Sequence, residues 1–114
     1  MRTNFLMADQ NITMIMGDTL AFNVEVTDQN GDVITVDSAY FTCKKNVTDS
    51  EKAFQKSLGS GIIQSEGLLT VRVAPEDTRS LDAGQYFYDM EIGVGSDIYT
   101  LMRGTLSIEQ DVTF

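Results

Sequence analysis

Apolar and polar residues alternate with a period of two along most of this chain. Leu20, Phe22, Val24 and Val26 alternate with Ala21, Asn23, Glu25 and Thr27, the pattern of a strand with one buried face. Leu69, Val71 and Val73 repeat it against Thr70 and Arg72, and Tyr86, Tyr88, Met90 and Ile92 against Phe87, Asp89 and Glu91. Shorter runs predict further strands at 12–16, 33–36, 39–45, 54–58, 62–64, 98–103 and 105–108. Turn signals separate them: Gly17-Asp18, the Asp28–Asp32 stretch with Asn30-Gly31 able to take positive φ, Ser65-Glu66-Gly67, and a Gly-rich loop at 93–97. Gly59-Ser60-Gly61 fits a bent edge or a bulged strand, Gly104 a bend, and the polar stretch 46–53 a loop. The expectation is seven to nine short strands and no helix beyond about two turns.

The most specific local signal is PEDTRSLDAGQYFYDMEI, beginning at Pro75. Pro75 suits the first position of a short helix, where a missing N–H costs nothing. Glu76 and Asp77 place negative charge at the positive end of that turn, and Leu81 points inward. Gly84-x-Tyr86 at the entry to a late strand resembles the tyrosine corner of immunoglobulin-like sandwiches. Strand spacing and this corner together predict one all-β domain over 1–114, an immunoglobulin-like antiparallel β-sandwich with one short helical turn.

The net charge of −9 is the compositional outlier. It disfavours nucleic-acid backbone and anionic membrane surface, both of which need clustered Lys and Arg. Solubility through mutual repulsion accounts for it, as would a basic partner surface or a bound cation. No segment approaches the roughly 20 apolar residues of a spanning helix, so membrane insertion is not expected. MRTNFLMADQ lacks the apolar run of a secretory signal, so the expectation is a chain made and folded in a bacterial cytoplasm, unless it is trimmed. For the same reason the sequons at Asn11 and Asn46 are set aside.

Candidate chemistry is sparse. The chain has no histidine and one cysteine, which removes the usual triads and a structural zinc site. Cys43 shares a face with Ala39 and Phe41 and reads as a small buried hydrophobe. No phosphate-binding glycine motif and no nucleophile elbow occur. Asp89 and Glu91 share the outward face of their strand and read as its solvated side rather than as a glycosidase pair. Asp28, Asn30 and Asp32 carry oxygen ligands without the EF-hand spacing and read as a hairpin turn, with cation binding left open. No catalytic, cofactor-binding or metal-binding residue is assigned.

The last hairpin is apolar on both faces if its loop sets the pairing. Phe87 opposes the core-facing Tyr86 and Tyr88, while Tyr99 and Leu101 alternate with Ile98, Thr100 and Met102. Phe87, Tyr99 and Leu101 therefore stand as candidate interface residues, because a two-layer domain needs only one apolar face. The alternative is that the segment Asn4–Met7 folds back over them.

Several blocks together resemble a known group: GDT entering a strand, AYFTCKKNVTD, KSLGSGI, LLTVRVAPEDTRSL, AGQYFYDMEI and YTLMRGTLSIEQDVT. They are similar to small immunoglobulin-like β-sandwich proteins of tailed bacteriophages and prophages, in particular the N-terminal domains of phage baseplate upper proteins, over about 12–113. A baseplate upper protein continues past such a domain, whereas this sequence stops at Phe114, so both a stand-alone virion protein and an isolated domain fit. The resemblance implies a non-enzymatic virion component of a baseplate, tail or head, with no catalytic residues to carry over. Its implied partners are other phage structural proteins, with a homo-oligomer as one form of the contact. The competing expectation is a carbohydrate- or ligand-binding β-sandwich module of a bacterial surface protein, disfavoured by the absence of Trp.

Overall fold

The computed structural model describes residues 8–28 and 30–112, with backbone alone for Ala8 and Asp9. The Asn4–Met7 segment lies outside the described residues. The described chain forms β1 (Ala8–Asp9), β2 (Ile12–Ile15), β3 (Leu20–Glu25), β4 (Ser38–Lys44), β5 (Phe54–Leu58), β6 (Gly61–Ser65) and β7 (Leu68–Val73). After β7 come α1 (Pro75–Thr78), β8 (Gly84–Val94) and β9 (Asp97–Glu109). The protein is all-β, as the alternation predicts.

The strands follow one hydrogen-bonded path, β1-β9-β8-β4-β5-β6-β7-β3, with β2 further along the same edge of β9 as β1. In a flat sheet β3 would lie about 19 Å from β4, four strand spacings away. Instead the Phe22 ring on β3 meets the Phe41 ring on β4 with centroids 5.5 Å apart. The path therefore folds back on itself into two layers. One layer holds β1 and β2, β9, β8, β4 and β5; the other holds β6, β7 and β3. Among the described residues the strand pairing between them is Ser57 and Leu58 in parallel with Gly61 and Ile62.

Gly59-Ser60-Gly61 is the corner between the layers. Gly59 and Gly61 both take positive φ, 89° and 99°. A Cβ on Gly61 would also strike the Lys56 side chain, which passes there on its way to Asp77 of α1, 2.6 Å from Nζ to carboxylate. That ion pair holds β5 to the helix from across the inter-layer space.

The core follows the predicted inward positions. Ala39, Phe41 and Cys43 on β4, Leu69, Val71 and Val73 on β7, and Tyr86, Tyr88, Met90 and Ile92 on β8 are all buried. Burial pushes the Cys43 thiol up to about 12, so it stays a protonated, inert hydrophobe at neutral pH. The predicted strand at 33–36 does not form as a strand. Val33 makes one isolated bridge to Thr27, and the Gln64 side chain takes both backbone groups of Val36, accepting from its N–H at 2.7 Å and donating to its carbonyl at 3.1 Å. Ile34 and Val36 are still buried. A side-chain amide has replaced a neighbouring strand.

The corner before β8 forms as expected. Pro75 opens α1, and the Asp77 carboxylate accepts the Ala74 N–H at 2.7 Å. The Tyr86 hydroxyl donates to the Asp82 carbonyl at 2.8 Å, the bond that defines a tyrosine corner. Burial and the nearby Asp82 carboxylate push the Tyr86 phenol above its ordinary range, which keeps it a donor. Tyr86→Phe should therefore cost about 1 kcal/mol, the net worth of one such bond. Urea unfolding checks this, and a midpoint equal to that of the parent would show the corner to be held by packing alone.

Candidate interaction face

The broad layer has an outer face opposite the core, and the register fixes what stands on it. Residues directly opposite in an antiparallel pair share a face. Tyr40 pairs with Glu91, Thr42 with Asp89 and Lys44 with Phe87. On the far side of β8, Glu91 pairs with Thr100, Asp89 with Arg103 and Phe87 with Thr105. Gln55 on β5 extends the middle row and donates to the Thr42 hydroxyl at 2.9 Å. The outer face is thus a grid of four strands in which every row carries charge: Glu91 beside Tyr40, Asp89 and Arg103 beside Thr42, and Lys44 beside Phe87.

Two hollows open on this grid and share Thr42, Lys44 and Asp89. The larger, about 440 Å3, runs past Phe87 and Val47. The smaller, about 260 Å3, runs past Tyr40, Lys52 and Glu91. Tyr40, Val47 and Ile98 are exposed at 43%, 67% and 64%, and Phe87 is half-buried. Burial pushes the Asp89 carboxyl up from its ordinary range, and Lys44 beside it opposes that only in part. Asp89 is a carboxylate whose lost hydration is incompletely replaced within the chain.

Of the three candidate interface residues, the structure places only Phe87 on this face. The pairing of β8 with β9 slips between Met90, opposite Met102, and Glu91, opposite Thr100, so Leu101 is the extra residue of a β-bulge. The bulge turns Leu101 and Met102 inward together, at 7% and 8% exposure. Before the bulge, Tyr99 stands opposite Ile92 and shares its inward side, packed against the core. The expected trio on one outward face is corrected accordingly. Reading alternation straight through β9 assumed an unbroken pleat, and the adjacent apolar pair Leu101-Met102 was the trace of the break.

Leu101 belongs to a different feature, a groove of about 600 Å3 between the free edge of β3 and the β2–β9 edge. Ile12, Leu20, Phe22, Val24 and Met102 line it with Leu101. Elsewhere, Asp28 caps its own turn: its Oδ1 accepts the N–H of Asn30 at 2.9 Å and of Asp32 at 3.0 Å. Gly31 takes φ 84° there, as a turn requires. Among the described residues no helix is long and apolar enough to cross a membrane.

Alternation alone missed Tyr40, Thr42 and Lys44 as members of the face. They are the outward residues of β4, and only the pairing of β4 with β8 sets them beside Phe87 and Asp89. No protein-family model and no curated protein matches this chain.

Proposed function

We propose that this protein is a non-enzymatic structural or assembly module of a tailed-phage or prophage particle, held there through the outer face of β5, β4, β8 and β9. The observation that carries this reading is that face itself. It is the outer side of the broad layer, and it sets exposed Tyr40, Val47 and Ile98 around both signs of charge. Mixed apolar and charged surface of this kind suits protein–protein contact. The strand arrangement supports the immunoglobulin-like part of the reading. β4, β8 and β9 run in the order of the C, F and G strands, β3, β7 and β6 in that of B, E and D, and the tyrosine corner stands at the start of β8. The phage assignment draws its support from the resemblance of the AGQYFYDMEI and YTLMRGTLSIEQDVT blocks to virion proteins.

Purified particles provide the test. Virions produced from a lysogen carrying an epitope-tagged copy should contain the chain at a fixed stoichiometry through a density gradient, and Tyr40→Asp with Phe87→Asp should remove it from them. A chain that stays in the soluble lysate while particles assemble normally would overturn the reading.

A further inference from the structure

The acidity of the chain restricts where a second copy can approach. Three of its eight cationic residues, Lys44, Lys52 and Arg103, line the two hollows of the outer face, with only Asp89 and Glu91 of its seventeen acidic ones. The lining of these hollows stands at +1 within a chain of −9, so self-repulsion is locally relieved there. The charges are also ordered. Lys44 sits on β4, in the row of Phe87, and Asp89 and Glu91 sit on β8, in the rows of Thr42 and Tyr40.

A two-fold axis lying along the strands between β4 and β8 would set β4 of one copy over β8 of the other. Each in-register neighbour pair then becomes a contact made twice: Lys44 over Phe87, Thr42 against Asp89, Tyr40 over Glu91. An isologous interface requires this self-complementarity. The contacts also suit their groups, since a cation is attracted to an aromatic face and a hydroxyl donates to a carboxylate. Packing of one sheet on another at about 30° is an ordinary arrangement that allows such a contact.

We propose that the outer face of β4 and β8 is a homodimer interface in which Lys44 of each copy lies over Phe87 of the other, and Thr42 and Tyr40 of each meet Asp89 and Glu91 of the other. This rests on reading the face as a contact surface and names the partner as a second copy of the chain.

The test uses two charge-reversed variants, Lys44→Glu with Lys52→Glu, and Asp89→Lys with Glu91→Lys, each checked for an unchanged circular dichroism spectrum and melting temperature. By light scattering behind a sizing column, the parent chain should elute at twice the monomer mass. Each variant alone should be monomeric, weakened at least about a hundredfold by like charges. Mixed in equal amounts they should give a dimer containing one of each, resolved by native mass spectrometry. A parent chain monomeric at high micromolar concentration overturns the proposal, as do variants that each still dimerise or fail to pair when mixed. A monomeric parent that is nevertheless incorporated into particles would overturn the dimer and leave the assembly reading standing. A dimer absent from particles would do the reverse.

Discussion

Phe41→Ala should lower stability by about 3–5 kcal/mol, the range for truncating a fully buried Phe. Phe41 has no exposed surface and joins the two layers. Its ring stacks on Tyr88 at 5.3 Å and on Phe54 at 6.2 Å within the broad layer, and meets Phe22 of the facing layer edge-on at 5.5 Å. Cutting it to Ala removes three aromatic contacts at once and leaves a cavity between layers tied covalently and by hydrogen bonds at few other points. Domains of this size have about 5–15 kcal/mol in total, so the loss is a large share of the whole. The urea midpoint should fall sharply while the slope of the transition stays the same, since the surface exposed on unfolding hardly changes. Phe41→Leu should recover most of the loss. A decrease below about 1 kcal/mol for the Ala variant would mean that the layers do not close on this ring.

Gly104→Ala should cost about 2–4 kcal/mol for the addition of one methyl group. Gly104 does not have positive φ, so backbone conformation is not the reason. A Cβ there would overlap the carbonyl oxygen of Gln10, where the chain between β1 and β2 crosses β9. That carbonyl accepts the Tyr88 hydroxyl at 2.6 Å, and the Gln10 N–H donates to the Arg103 carbonyl at 2.9 Å. The methyl group must push Gln10 away and break both bonds, overpacking and lost hydrogen bonds adding together. Hydrogen exchange locates the damage. Protection should fall at Gln10 and along β2, while the amides of β4 and β7 keep theirs. Uniform loss across all strands would place the strain in the core instead.

Both predictions turn on contacts between segments far apart in sequence, and such contacts were hardest to read from sequence. β3, β7 and β8 announce themselves by alternation, and the corner at Tyr86 by its Gly-x-Tyr spacing, because each is settled within a few residues. The stretch 33–36 was apolar enough to be a strand, yet Gln64 reached Val36 first. Local pattern records which side chains seek burial, and it is silent on which group will take a backbone N–H. The candidate face shows the same division. Phe87 is legible as an outward aromatic, whereas Tyr99 and Leu101 are not placed by alternation, because the bulge at Leu101 puts the two ends of β9 in opposite phase.

The all-β class, the inward residues of β4, β7 and β8, the helical turn and tyrosine corner, and the charge that limits what the surface can meet are all legible in the sequence. Each of these follows from side-chain chemistry and a period of two. Tertiary structure alone decided that β4 lies beside β8, that the sheet path folds over at Gly59–Gly61, and that Leu101 turns inward. Backbone hydrogen bonds are chemically identical along every strand, so the choice among neighbours rests on how all the inward faces pack together, and no local run of residues encodes that choice.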